Sequence, residues 1–388
     1  MNKTKKVIII FLICALSFSG CWSHNELDTI DIVAGFAIDI DEESGQYMMT
    51  YEMVDTLSSG SGRGDLKIKY ASSTGETIFE AVRNAKKKLS NKPYGGNMQT
   101  IVISSEIART QGINPVLEQI MRDGEPRETL SIVISQEKTA KEVLLAREVD
   151  AQITSYAINQ IIKEDSSVTS STIYVPLYKV HSALNGSGDS LLLPAVHLVE
   201  VEQMDEERYL TTEINGIAVF DEDKLIDFIS PEQSKYCLFI LNKVSGGSFY
   251  FPYKTQSGDF VNISMEIRDS KTKTAINYID NQLVIDADIS VITNLADTQG
   301  EVDLLIHDER VRLEDLARKA LKQSIGNFFL SVQQEFGIDI FGFGHQLYQK
   351  NPKLWYELEN DWNEIFSTAQ YNINIELENL NTGVIENY

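Results

Sequence analysis

The stretch Ile30-Asp-Ile-Val-Ala-Gly-Phe-Ala-Ile-Asp-Ile40 carries an apolar residue at every even position: Ile30, Ile32, Ala34, Phe36, Ile38 and Ile40. A period of two over that span predicts a strand with one face turned to a core. The acidic turn Asp41-Glu42-Glu43-Ser44-Gly45 follows, and 47–54 reads as a second strand, so the pair is expected to form a hairpin.

Working outward from the hairpin, 58–64 (S-S-G-S-G-R-G) is a flexible loop. It lacks the Lys-Ser/Thr of a phosphate-binding loop and the spacing of a dinucleotide fingerprint. A short strand is expected over 66–70. Ser73 and Glu76 fit a capping box ahead of a helix with Ile78, Ala81, Val82, Ala85 and Leu89 on one face. Strands at 99–104 and 129–135 flank a helix over 113–122 with Pro115 in its first turn. Helices are expected at 138–148 and 151–164. This alternation predicts a sheet with helices packed on it. A strand over 191–201 contains Pro194, which suits an edge or a bulge.

The acidic run Glu202 to Glu207 is the best candidate for a domain boundary. Beyond it lie a hairpin around Asp221-Glu222-Asp223 and a helix over 231–244 carrying Cys237. Strands follow near 248–254, 260–268, 272–280 and 283–293. From Glu309 to Phe336 the apolar residues recur at helical spacing, with Gly337 placed to end the helix. Asp339-Ile-Phe-Gly-Phe-Gly344, two short helices bearing Trp355 and Trp362, and a strand over 370–380 close the chain.

The N-terminal end is of another kind. Lys3, Lys5 and Lys6 precede an almost unbroken apolar run from Val7 to Phe18, and Ser19-Gly20-Cys21 closes it. That is the layout of a secretory signal peptide. Such a run spans about 18 Å as a helix, too short for a hydrocarbon core of about 30 Å. The cysteine after two small residues resembles the lipobox of bacterial lipoproteins, where the sulfur takes a diacylglyceryl group and the peptide is cut before it. Phe18 departs from the usual Leu. The alternative is an ordinary signal peptide with an incidental cysteine.

The net charge is −23, and losing Met1 to Gly20 removes three lysines and no acid, which makes it −26. So acidic a chain argues against nucleic acid, which is bound through phosphate neutralisation. It also argues against lying flat on anionic lipid. Without Cys14 and Cys21, only Cys237 is left, so no disulfide within the mature chain is expected. No Cys/His cluster suggests zinc, and no histidine has another at i+3 or i+4. No nucleophile elbow or metalloprotease helix is present. His307-Asp308-Glu309 reads as acids at a helix start rather than an acid/base cluster. Asp286 and Asp288 read as a solvated strand face. No catalytic, cofactor-binding or metal residue is assigned. Phe341 and Phe343 alternate with glycines, which fits either a turn tucking two rings into the core or a ligand or partner loop. With Trp355 and Trp362 they are the candidate partner or ligand surface.

These residues together add up to a family pattern. Gly20-Cys21-Trp22 with Glu26-Leu27, Val33-Ala-Gly-Phe-Ala-Ile-Asp39, and Asn114-Pro115 with Met121-Arg122-Asp123 and Arg127 occur in order. Gly216-Ile-Ala-Val-Phe220 with Asp223-Lys224-Leu225, then Asp339 to Gly344, Pro352, Trp355 and Trp362, complete it. The set resembles the Ger(x)C lipoproteins, the C subunits of spore germinant receptors, although Ser23 stands where Asp is frequent. The resemblance implies an α+β chain of three domains, each a mixed or antiparallel sheet with helices packed on it. The expected bounds are a signal peptide 1–20, then 21–204, 205–268, and 269–388 with the long helix. It also implies a non-enzymatic subunit without cofactor, lipidated at Cys21 on the outer surface of the inner spore membrane. Integral membrane A and B subunits would be its partners. The rival reading is a solute-binding lipoprotein of an importer, which requires two similar α/β lobes. A lipoprotein hydrolase is a second rival.

Overall fold

The hairpin forms as expected. β1 (Ile30–Ile40) pairs antiparallel with β2 (Tyr47–Val54), Ile38 lying opposite Met49 and Ile40 opposite Tyr47. The computed structural model describes residues 29–55, 67–202, 208–255, 258–298 and 307–381. Cys21 with the expected signal peptide, the loop expected over 58–64 and the acidic run past Glu202 lie outside the described residues. One detail of β1 differs from the simple alternation. A register shift between Val33 and Gly35 moves Val33 onto the face of Phe36 and Ile38, while Ala37 faces a second cluster. The strand is buried on both faces, so its odd positions are as enclosed as its even ones.

β1 sits inside a nine-stranded mixed sheet of order β3-β2-β1-β5-β6-β7-β8-β9, with β4 (Lys92–Tyr94) also paired to β1. β3 (Ile68–Gly75) is antiparallel to β2, whereas β5 (Thr100–Ser104) and β6 (Ser131–Ser135) run parallel to β1 and to each other. β7 (Leu191–Val201) joins β6 in parallel through Ala195 and Val196 only. Pro194, which has no N–H to donate, sits at a register shift in β7, as its chemistry requires. β8 (Tyr209–Asp221) and β9 (Lys224–Ile229) finish the sheet as a hairpin.

Helices cover both faces. α1 (Ile78–Ala85), α2 (Ser105–Thr110) and α3 (Asn114–Asp123) pack on one side with the main apolar cluster. α4 (Ala140–Leu144) and α5 (Thr154–Val168) pack on the other, over Ala37, Val102 and Val133. The capping box of α1 lies four residues later than the sequence reading put it. Ser73 belongs to β3 opposite Met49, and Thr77 caps the helix by accepting from the Glu80 N–H while Glu80 accepts from the Glu76 N–H. α2, capped by Ser104, and α6 (Leu177–Asn185) were not anticipated. Both are short, and a handful of residues carries little periodicity.

α7 (Pro231–Ile240) leads into a second, four-stranded sheet of order β10-β11-β12-β13. β10 (Ser248–Lys254) is antiparallel to β11 (Phe260–Ile279), a single strand bulged between Ile267 and Asp269 where two were expected. β12 (Gln282–Thr298) is antiparallel to β11, and β13 (Gln370–Asn381) is parallel to β12. A parallel pair needs a long crossover, and α8 (His307–Ser331) lies within it. Leu313, Ala317, Leu321, Ile325 and Phe328 form its buried face, a π-turn over Val332–Phe336 extends it, and Gly337 ends it in the left-handed conformation. The residues 205–268 thus supply β8 and β9 to the first sheet and β10 to the second. One apolar cluster runs unbroken from Val33 to Ile375 and joins the two sheets.

Gly35 allows α5 to approach β1. A Cβ there would stand 2.1 Å from Ser155 Oγ and 2.5 Å from the Thr100 carbonyl. The Gly35→Ala variant is expected to lose about 1–3 kcal/mol or more, as overpacked cores do, measured by urea denaturation.

Candidate functional site

The Asp339 to Gly344 turn forms a joint between the sheets. Asp339 is half-buried, and its carboxylate accepts from the Phe341 N–H (2.9 Å), the Gly344 N–H (2.8 Å) and Trp362 Nε1 (3.1 Å). Burial pushes its pKa up, and these donors oppose the shift. The turn docks on the loop after α6. The His345 N–H donates to the Gly188 carbonyl, Ser190 Oγ donates to the Ile340 carbonyl, and His345 Nδ1 lies 3.1 Å from Asp189 Oδ1. Gly344 has no room for a side chain, since a Cβ would lie 2.7 Å from Trp355.

The four aromatic candidates all come together here, inside the core. Phe341 is 4 % exposed, Phe343 0 %, Trp355 5 % and Trp362 6 %. Phe341 stacks on Phe329 of α8 at 5.6 Å between centroids, and Trp355 meets Trp362 edge-on at 5.3 Å. α9 (Phe343–Lys350), α10 (Pro352–Leu358) and α11 (Trp362–Ser367) hold these rings in place.

Three buried carboxylates lie about the first sheet, and two of them grip helix starts. Glu52 is fully buried and accepts from the Thr154 and Ser155 N–H groups at 2.9 and 2.8 Å, at the start of α5. Asp39 accepts from the Ala140 and Lys141 N–H groups, at the start of α4. Burial raises its pKa to about 6. Glu148 accepts from Thr212 Oγ1 at 2.8 Å, and burial pushes it up to about 7. Sequence reading missed all three, although an acid in an otherwise apolar strand, as at Asp39 and Glu52, is the available signal.

Nothing here makes an acid–base–nucleophile set. The Cys237 thiol is fully buried and pushed up to about 12, so it is no nucleophile. His197 pairs with Glu213 at 3.0 Å on a partly exposed strand face. Asp286 and Asp288 accept from Asn372 and Asn374 across the β12–β13 ladder. Among the described residues no three of His, Cys, Asp and Glu converge as metal ligands. A cavity of about 700 Å³ lies between α1, α3 and the sheet, with Phe36, Met49, Tyr51, Ile78 and Ile120 in its wall.

Two family profiles cover this chain in sequence order. "Spore germination protein N-terminal domain" matches residues 23–198, and "Spore germination B3/GerAC like, C-terminal" matches 215–383. The chain belongs to the GerAC family of spore germination proteins. It is similar to spore germination protein B3 of Bacillus subtilis (strain 168), 22% identical over 387 residues, covering 99% of each chain. Spore germination protein KC of the same organism is 21% identical over 381 residues, covering 92% of this chain and 90% of that one. The crystal structure of the GerBC protein is alike in fold, with a TM-score of 0.57 at 18% identity, covering 92% of this chain and all of that one.

The GerAC signatures now have places. Val33 to Asp39 is the buried centre of β1, the Asn114-Pro115 segment opens α3, and Gly216 to Phe220 lies in β8. Asp339 to Gly344 is the joint. The Asp339→Ala variant would strand three buried donors, and a loss of about 3 kcal/mol or more is expected. Hydrogen exchange at 185–190 and 339–345 should rise together, which separates an opened joint from general loosening. A second expectation concerns pH. Asp39 and Glu148 hold protons in the native state that the unfolded chain releases near its ordinary 3.8 and 4.5. Their contribution is therefore complete at acid pH and is lost as pH rises to about 6 and 7. Glu148→Gln should flatten that decline by on the order of 1–2 kcal/mol, seen in thermal melts across the range.

Proposed function

We propose that this chain is a lipid-anchored, non-enzymatic subunit of a germinant receptor, supporting nutrient-triggered spore germination. The observation that carries the reading is the pair of germination-family matches, which together span nearly everything after the leader. The curated relatives are named as spore germination proteins and match along 90% and 99% of their lengths. The absence of any nucleophile–base pair among the described residues is compatible with a scaffolding or coupling role. The importer rival needs two similar lobes, and a nine-stranded and a four-stranded sheet of different order do not supply them.

In this reading Cys21 is diacylglycerylated and places the chain on the outer surface of the inner spore membrane, beside integral membrane A and B subunits. No helix among the described residues is long and apolar enough to cross a membrane, so anchoring falls to the lipid. Two acyl chains bury on the order of 20 kcal/mol at about 0.8 per CH₂, where a single chain is marginal. The Cys21→Ala chain is expected to fold but to leave the spore membrane fraction, with germination impaired. Full retention of that variant with membranes and normal germination would overturn the anchor. Pull-down of the native chain from spore membranes should bring both integral subunits with it.

A further inference from the structure

Residues 83–92 hold five cations and no acid in a chain of net charge −23. Arg83, Lys86, Lys87, Lys88 and Lys92 are all exposed. The fold puts them in a particular place. α1 ends at Ala85, and β4 begins at Lys92 beside the first residues of β1, Ile30 facing Lys92 and Ile32 facing Tyr94. Lys92 therefore sits beside the point where the chain leaves the sheet toward Cys21, and Lys86 to Lys88 lie on the short segment between it and α1, Lys88 donating to the Ser72 carbonyl at 2.8 Å. Only residues 22–28 separate Thr29 from that cysteine, about 25 Å at full extension.

The cluster is not consumed by internal pairing. Lys92 meets Glu125 at 2.9 Å, and Arg83 lies over the Phe79 ring at 4.8 Å. Lys86 and Lys87 make no salt bridge among the described residues. Of the acids at this end, Asp31 and Asp55 are held by Lys69 at 3.6 and 3.2 Å, while Asp123 and Glu125 stand in the cavity wall beside Arg83, Lys86 and Lys92. Phe79 and Tyr94, 50 % and 39 % exposed, flank the cations with aromatic surface. Basic and aromatic side chains together are what a bilayer interface favours.

We infer that the α1–β4 end of the first sheet is a membrane-facing surface that binds anionic phospholipid headgroups. This rests on the reading of Cys21 as the anchor. The net charge repels such a membrane, so the contact is local. Only cations within about a Debye length of 8 Å of the headgroups take part, and the short tether brings this end within their reach.

The test uses the full lipidated chain in vesicles of phosphatidylcholine alone, or of phosphatidylcholine and phosphatidylglycerol in equal parts. Flotation that persists in high salt reports the anchor. Hydrogen exchange of 83–94 reports the face. The expected result is flotation with both vesicles, and protection of 83–94 only with phosphatidylglycerol, reversed by high salt. Each cation at the surface is worth about fivefold, so Lys86→Gln with Lys87→Gln should cut the protection by at least tenfold. Unchanged exchange at 101–104 and 131–135 would show that the variant is folded. A chain that floats while 83–94 exchanges as in solution overturns the face and spares the anchor. Protection equal on both vesicles, or unchanged in the double variant, also overturns it. A chain that fails to float overturns the anchor and this inference with it.

Discussion

A carboxylate drawn out of water is among the costliest groups a fold can carry, and Asp339 is half-buried. Its cost is offset by three donors from the segment it organises: the Phe341 and Gly344 N–H groups and the Trp362 indole. These bonds fix a turn that could otherwise flex at Gly342 and Gly344. With the turn fixed, Phe341 and Phe343 have one place to go, against Phe329 and Phe366, and Gly344 leaves space for Trp355. The outer edge of the same turn bonds Gly188 and Ser190 of the first sheet's loop. One carboxyl side chain thus couples the packing of the long helix to the contact between two sheets.

The same device recurs with smaller reach. Glu52 and Asp39 come from adjacent strands, and each takes two backbone N–H groups at the start of a helix lying across the sheet. Helix starts carry unpaired donors and partial positive charge, so a buried acid there settles two deficits at once. This bears on function. Raised carboxylate pKa values in an enzyme often mark an acid or base. Here Asp39, Glu52 and Glu148 are engaged in helix capping or hydroxyl bonds, while Asp189, also raised by burial, lies beside His345.

How much of this was legible followed physical lines. The long helix was plain because Leu313, Ala317, Leu321, Ile325 and Phe328 keep one phase over about four turns of chain. The β1–β2 hairpin was plain because its turn is acidic and its strands alternate. The bulge at Gly35 was not, because a register shift leaves composition unchanged while reversing which residues face which core. The α1 cap was misplaced by four residues because Ser73-x-x-Glu76 and Thr77-x-x-Glu80 satisfy one rule, and only strand pairing by Ser73 decides between them. Phe341, Phe343, Trp355 and Trp362 stood out as a group, and they do form one, but the reason they converge is Asp339. No spacing rule links an acid to an indole twenty-three residues away.

Anchoring and orientation are separate physical problems, and in the proposed reading this chain divides them between separate features. A diacylglyceryl group holds its protein with tens of kcal/mol but through one flexible segment, so it says little about which face meets the bilayer. Orientation needs only a few kcal/mol, supplied off-axis. A strongly acidic molecule cannot draw that from its average surface. It can draw it from a patch whose sign is reversed, provided the tether keeps the patch near the headgroups more than the rest. The parallel pairing of Ile30–Ile32 with Lys92–Tyr94 meets that condition by topology. A subunit held this way presents a defined surface to neighbours in the membrane while spending little binding energy on its own alignment.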